Sequence, residues 1–253
     1  LRFCLLPYGM SFQERVLIRM TIPLCNHLKE LNSMDKAIIV GAGTYGEVYS
    51  EYITENLQYE LVGFVDDDSS KHGKIVNGYR VLGNVDYLKT VENRNIISVF
   101  VPIGNNDVRC RILNFCRDLG FNTPGFIHKS CTIHNTVKMG QSVYILPSTS
   151  IMPFAQLEDN VMISMGVNIA HHTVICNSSF VSQGANIGAS LKIGARSFIG
   201  IASTIMTGIS EVGENVTVGA GAVVIRDLPS NVVVAGIPAR IIKTKEPLIA
   251  SLG

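Results

Sequence analysis

The chain has 253 residues, 47% of them hydrophobic and only 16% charged, which suits a well-packed globular protein and argues against disorder. Lysine and arginine number 21 against 20 aspartate and glutamate, and the resulting net charge of +1 gives no electrostatic case for a nucleic acid or an anionic membrane as partner. The six cysteines (Cys4, Cys25, Cys110, Cys116, Cys131, Cys176) form neither a CxxC pair nor a zinc-finger spacing, so free thiols in a reducing, cytoplasmic setting are expected.

Residues 1–33 contain no apolar run near 18 residues, because Arg19 and Pro23 break the longest one, and no membrane span is expected there. Met34-Asp35-Lys36 stands directly before a clean strand, so the native start is expected at Met34, with 1–33 either upstream translation or an amphipathic appendage.

"KAIIVGAGTYGEVYSEYI" then reads as a buried strand from Ala37 to Val40, a glycine turn and a helix opening near Glu47. The turn is GxGxxG, with Gly41, Gly43 and Gly46, a pattern that lets backbone approach a phosphate at a helix N-terminus. A second strand, "YELVGFV", runs into Asp66-Asp67-Asp68, where a carboxylate can meet a ribose or a base. After it come a turn-linked excursion, "GKIVNGYRVLG", a short helix near Val85 to Thr90, the strand "IISVFVPIG", a helix from Asn106 to Leu119 and a short "GFI". Residues 34–130 thus predict a Rossmann-like half domain. That is too little for the two halves that hold NAD, so a mononucleotide or nucleotide-sugar is the expected guest and a nicotinamide-dependent enzyme the rival. Gly104 and Asn105, in "PIGNND", fall at the same carboxyl edge and are candidates to complete the pocket.

From Ile133 to Ile205 every sixth residue is aliphatic, and after one inserted residue the beat resumes at Val212, Val218 and Val224. A hexapeptide period predicts a parallel β-helix over 131–243, with three short strands per 18-residue coil, about five coils, and a tail at 244–253. Residues two before the beat (Cys131, Val137, Val143, Thr149, Ala155) are small or aliphatic and are expected inside. Gly140, Gly188, Gly194, Gly200, Gly213 and Gly219 directly follow it and are expected at corners that need positive φ. His171 and His172 lie two and three places past Ile169, at a corner rather than in the core, with Ala189-Ser190 one coil above and Thr207-Gly208 two above, so that a shallow groove leads away from them. They are a solvated corner, metal ligands or a general base. Metal is disfavoured, and none is expected, because His128 and His134 are more than two coils away. Imidazole chemistry near neutrality suits removal of a proton from an amine or hydroxyl.

The segments "GAGTYG", "VGFVDDD", "GYRVLG", "PIGNNDVR", "FIHKS", "NIAHHTVI" and "VVVAGIPAR" carry a resemblance from Met34 to Lys243. Together they resemble the hexapeptide-repeat acyltransferases of the sialic acid O-acetyltransferase and UDP-4-amino-sugar N-acetyltransferase family. The resemblance implies a left-handed β-helix, a homotrimer, and acetyl-CoA in grooves between subunits, with a nucleotide-sugar or acidic sugar held partly by the first domain. By position it implies His171 as general base, with His172 standing where relatives often carry an acid, and Phe180 where some carry a second histidine. Asp66 and Asp67 match base-binding acids, and Gly43, Thr44 and Tyr45 the phosphate-side turn. Ala189, Ile201 and Gly219 match places that touch the pantetheine arm, while Arg240 and Lys243 are placed to meet CoA phosphates. The implied reaction is direct, acetyl-CoA-dependent N-acetylation of a nucleotide-linked 4-amino-sugar in surface polysaccharide or glycan biosynthesis, stabilised by backbone N–H groups of the adjoining coil. Alternatives are an O-acetyltransferase of sialic or related nonulosonic acid, and a nucleotide-binding scaffold without catalysis. Cys176 follows the inward Ile175 and is expected to pack rather than to attack.

Overall fold

The computed structural model describes residues 35–55 and 59–246; the proposed extension at 1–33 and most of the tail at 244–253 lie outside them. Strand β1 (Asp35–Val40) lies at the centre of a three-stranded sheet between β2 (Tyr59–Val65) and β5 (Ile97–Phe100), in the order β2-β1-β5, with β1 and β5 parallel. The intervening excursion is a hairpin, β3 (Ile75–Val76) and β4 (Tyr79–Arg80), whose Asn77 and Gly78 both take positive φ. That is the demand a two-residue hairpin makes. Helix α1 (Thr44–Glu55) covers one side of the sheet and α2 (Asn106–Asp118) the other. α1 starts at Thr44, three residues before the expected opening at Glu47, because Gly46 already sits in its first turn: a Cβ there would lie 1.9 Å from the Gly41 carbonyl oxygen.

The remainder is a parallel β-helix whose two-residue strands pair at a register of 18, Ile151 with Ile169 and Ile169 with Ile187. One face stacks six strands, from Thr132–Ile133 to Val223–Val224, so there are about six coils rather than five. Phe126–Ile127, expected to finish the first domain's sheet, instead pairs with Tyr144–Ile145 and opens the helix, because its Phe126 packs with the aromatic residues of that face. The beat residues from Ile145 to Val224 and those two places before them form one buried column, except before Val212, where Ile209 turns inward and Ser210 is exposed. Each fully buried aliphatic side chain contributes about 1.5–3 kcal/mol, and here the contribution repeats every six residues.

The corner chemistry differs from expectation. Positive φ falls not on the glycines after the beat but three residues past it, at Ser142, Ser148, Phe154, Asn160, Gly166, His172, Ser178, Gly184 and Ser190, and so on up the helix. The glycines after the beat answer a different need, since a Cβ on Gly194 would lie 2.5 Å from the backbone of Gly213, and one on Gly188 2.4 Å from the Thr207 nitrogen. They allow stacked coils to touch backbone to backbone. The inserted residue after Ile205 is taken up at Thr207–Ile209, where Gly208 has φ 98°.

The three faces of the prism are unlike one another. On the first, the outward residues Phe126, Tyr144, Met162 and Phe180 pack into one cluster with Ala37, Tyr49 and Phe100 of the α/β portion, and we call it the covered face. On the second, exposed Met152, Met206 and Ile225 stand among Ser150, Asn168, Asn186 and Thr204; this is the methionine face. On the third, Lys138, Gln156, Lys192 and Glu211 point outward, and Lys192 pairs with Glu211 at 3.4 Å; this is the charged face.

The α/β portion is fastened at the vertex between charged and covered faces. Arg109, fully buried on α2, donates to the carbonyls of Asn160 (3.1 Å), Ile103 (2.7 Å) and Ser178 (2.9 Å) and to Asn106 Oδ1. With only carbonyl and amide acceptors around it, burial lowers its pKa to about 10. Tyr144 extends the join: its hydroxyl accepts from the Val101 amide at 2.8 Å.

Candidate functional site

His171 and His172 occupy the vertex between the methionine and charged faces, and both are exposed. This vertex lies opposite the covered face, so a prism's width separates the imidazoles from the α/β portion of the same chain. The two rings are paired: Nδ1 of His171 lies 3.1 Å from Nδ1 of His172, with the ring planes at 85°. His172 takes the left-handed corner position (φ 58°), and its ring lies over Phe154 of the coil below, centroids 4.8 Å apart. The His172 amide donates to the Pro153 carbonyl, and the Ser190 amide to the His171 carbonyl. One coil above His171, Ala189 is buried and its amide donates to Thr207 Oγ1 at 3.1 Å. The expected groove of small residues is therefore partly closed by the Thr207 hydroxyl, and the free amides expected of the adjoining coil are engaged: Gly188 with Ile205, Ala189 with Thr207, Ser190 with His171.

Beside the vertex, the methionine face carries a depression of about 410 Å³ lined by Met152, Asn168, Ala170, Asn186, Gly188 and Met206 among others. Ile201 lies across this face, at the vertex with the covered face, and is about half exposed. Gly219 lies one coil above Gly200, the residue before Ile201, and against Ala235, and Arg240 and Lys243 stand exposed on the terminal hairpin (Val232–Ala235 with Arg240–Thr244). The residues matched to the CoA arm thus fall in two groups. Ala189 stands with the histidines; Ile201, Gly219, Arg240 and Lys243 stand at and above the other edge of the methionine face.

The nucleotide-side residues meet at the carboxyl ends of β1 and β5, the point where strand order reverses and where open α/β sheets leave a crevice for a ligand. Gly43, Thr44 and Tyr45 form one lip; nothing approaches within 4 Å of a Cβ built on Gly43, so the turn is open on that side. Gly104 and Asn105 form the other. Asn105 Oδ1 is committed to capping α2, accepting from the amides of Asp107 and Val108. Phe180 stands at the base of this crevice, edge-on to Tyr45 with centroids 6.4 Å apart, in the cluster shared with the α/β portion and away from the histidine vertex.

Asp66 and Asp67 part company. Burial alone would raise the Asp66 pKa, but hydrogen bonds from Lys71 Nζ (2.9 Å) and the amides of Asp68 (2.9 Å) and Ala42 (2.7 Å) outweigh it and hold the carboxyl below its ordinary value. Asp66 thereby braces the glycine turn from behind. Asp67 caps the short helix at Val85–Thr90 through Oδ1, which accepts from the Val85 amide. It opens on a second cavity, of about 290 Å³, with Asp86, Arg111 and Phe115.

Among the described residues no three or more His, Cys, Asp or Glu side chains cluster as metal ligands, and no helix is long and apolar enough to cross a membrane. Burial pushes the Cys176 thiol up to about 11, so it is protonated at neutral pH and packs, as its position after Ile175 suggested.

Sequence reasoning missed two features that matter to the site. One is the aromatic column of the covered face, legible as Phe126, Tyr144, Met162, Phe180 and Phe198, one every eighteen residues. The other is the buried Arg109, which carried no signal in a helix read only for its apolar spacing.

Comparison with known proteins follows these boundaries. Residues 36–115 match the PglD N-terminal domain family. The acetyltransferase domain of PglB from Neisseria gonorrhoeae FA1090 superposes with a TM-score of 0.76 at 29% identity, covering 82% of this chain and 100% of that one. PerB from Caulobacter crescentus, solved in complex with CoA and GDP-perosamine, superposes with a TM-score of 0.77 at 26% identity, covering 83% of this chain and 99% of that one. A serine acetyltransferase from Synechococcus elongatus is 33% identical over 107 residues, 39% of this chain and 44% of that protein. The chain spans less than half the length of the curated relatives it matches. The resemblance read from the sequence is borne out at this level: the α/β portion matches the PglD N-terminal domain family, and the structural neighbours of the whole described chain are acetyltransferases.

Proposed function

We propose that this chain is an acetyl-CoA-dependent N-acetyltransferase acting on a nucleotide-linked 4-amino-sugar, that it works as a homotrimer, and that His171 is its general base. The observation that carries the reading is the opposition of the two half-sites. The crevice at Gly43–Tyr45 and Gly104 faces the covered side of the prism, and His171 stands on the vertex away from it. A sugar held in that crevice meets His171 only if that His171 belongs to another copy; His72 of the same chain is engaged with the Asp66 carbonyl at 2.7 Å. The contrast between the faces supports one of them as the surface that joins copies. The covered face is occupied and the charged face presents Lys138, Gln156, Lys192 and Glu211, whereas the exposed Met152, Phe154, Met165, Ile201, Met206 and Ile225 all lie on the methionine face or its two flanking vertices. An apolar strip that none of the described residues covers suits closure into a ring. Ring closure also brings the two separated groups of CoA-matched residues to one seam, Ala189 from one copy and Ile201 with Gly219 from the next.

The surface fits an extended, thioester-bearing arm: Ala170 and Gly188 leave its floor low, and Arg240 and Lys243 supply two cations near its upper end for phosphates. In the reaction the sugar amine attacks the thioester carbonyl, a C–N bond forms as the C–S bond breaks, and the amine's proton passes to His171 and then to the departing thiolate. The developing oxyanion takes the Ala189 amide, displacing the Thr207 hydroxyl by rotation about χ1. That PerB was solved with CoA and GDP-perosamine together supports a ternary complex and an amine acceptor on a nucleotide sugar.

The test is thiol release from acetyl-CoA against a panel of nucleotide-linked amino and hydroxy sugars. A 4-amino acceptor is expected to lead. His171→Ala is expected to lower kcat by roughly 10²-fold to 10⁴-fold while CoA binding and assembly persist. Unchanged turnover in that variant, or preference for a hydroxyl acceptor such as a nonulosonic acid, overturns the assignment of the base or of the acceptor respectively.

A further inference from the structure

The contact between the two imidazoles joins like atoms, Nδ1 to Nδ1 at 3.1 Å. A hydrogen bond between them needs one Nδ1 protonated and the other bare, and each neutral ring carries a single N–H. Two arrangements satisfy this. If His171 donates, its Nε2 is bare and is the free base, while His172 holds its proton on Nε2. If His172 donates, the roles reverse and His171 Nε2 carries a hydrogen. The local structure separates the two rings by how they are held. His172 is pinned from two sides, over Phe154 and against the edge of His171, from a left-handed backbone position that fixes where its Cβ points. His171 has no left-handed backbone angle, and among the described residues its ring makes its hydrogen-bond and aromatic contacts with His172 alone.

We infer that His172 is a positioning residue which accepts from His171 Nδ1–H and so fixes His171 in the tautomer that leaves Nε2 bare for the incoming proton. The inference rests on His171 being the base. His172 then acts by geometry and without charge: it selects the tautomer and orients the ring, and its bare Nδ1 continues to accept once His171 becomes imidazolium. His172 does not itself touch the reacting atoms.

Two variants isolate the acceptor from the packing. His172→Phe keeps a ring over Phe154 but has no acceptor, and a phenylalanine already occupies the same left-handed corner one coil below, at Phe154 (φ 65°). His172→Asn places Oδ1 as many bonds from the backbone as histidine Nδ1, and asparagine already fills such corners at Asn160, Asn215 and Asn231. Steady-state kinetics is expected to show kcat lowered about tenfold to a hundredfold in the Phe variant with KM for acetyl-CoA changed less than about twofold, and most of kcat restored in the Asn variant. Nitrogen-15 NMR of labelled histidines in the intact protein reads the tautomer directly: His171 is expected with bare Nε2 in the wild type and the Asn variant, and as a mixture of tautomers in the Phe variant. Full kcat in the Phe variant, no difference between Phe and Asn, or a hydrogen on Nε2 of neutral wild-type His171 overturns the inference. An active His171→Ala variant would instead overturn the base itself, a result the NMR tautomers do not depend on.

Discussion

The covered face and the methionine face are built on the same six-residue beat and the same buried column, yet they meet their surroundings in opposite ways. On the covered face the outward positions are large and aromatic, and a folded α/β layer of the same chain fills them. On the methionine face they are small, neutral or flexible, and nothing among the described residues lies over them. The lesson is that the beat specifies a prism and nothing more. What each face does is written in the residues just before and after the beat, one coil apart.

That comparison can be tested by disturbing each face in turn. The largest effect is expected from Arg109→Ala, which strands the buried carbonyls of Asn160 and Ser178 and loosens the whole covered face, at a cost of about 3–5 kcal/mol. Urea unfolding is expected to show it as a lower midpoint, or as a split transition if the layer comes away first. Met206→Glu, on the methionine face, is expected to leave protomer unfolding within about 0.5 kcal/mol. Its association should weaken by about 100-fold, read by sedimentation equilibrium, near 2.7 kcal/mol. If Met206→Glu unfolds the chain instead, the face is core rather than interface.

A third probe concerns the brace behind the glycine turn. Asp66 has a folded pKa below its ordinary value, so its contribution is complete above the unfolded pKa near 3.9 and is lost as pH falls through the lower, folded one. Asp66→Asn is expected to flatten the stability–pH curve below about pH 4 and leave its shape near neutrality unchanged. An equally steep acid limb in the variant would mean that Lys71 and the Ala42 amide do not depend on the charge. The smallest effect is expected at the corners: Arg196→Asn, at φ 58°, should stabilise by about 0.5 kcal/mol because asparagine tolerates the left-handed region better than arginine does. No gain in thermal midpoint would show that the coil backbone sets that corner without strain.

Much of this architecture was legible beforehand, and the misses have physical causes. The beat from Ile133 to Val224 gave the β-helix because inward positions tolerate only compact apolar residues. Gly41, Gly43 and Gly46 with the following acids gave the nucleotide fold. The corner rule was misread because two demands look alike in sequence. Gly188 and Gly194 are glycine for want of space, whereas the left-handed positions accept Ser148, Asn160, Phe154 and His172 as well as glycine. Phe126 was assigned to the first domain because a two-residue strand carries too little pattern to show its partner, and only the eighteen-residue recurrence of aromatics assigns it. At the site, adjacency placed His171 and His172 together but could not show that their Nδ1 atoms meet. It also could not show that Thr207 would reach down to the Ala189 amide, or that Asp66 would be spent on the Ala42 amide rather than left for a ligand.

The central claim is that the base and the sugar-binding crevice of one working site come from different copies of the chain. Subunit complementation tests it most directly: His171→Ala, lacking the base, is mixed after dissociation and reassembly with Gly43→Asp, which sets a carboxylate in the open phosphate turn. Each variant alone is expected to be nearly inactive. Equal mixing is expected to restore roughly a quarter of wild-type activity, the fraction of seams that pair an intact His171 with an intact neighbouring turn. Mixed assemblies that form but show no activity above either parent would place both halves within one chain and contradict the account.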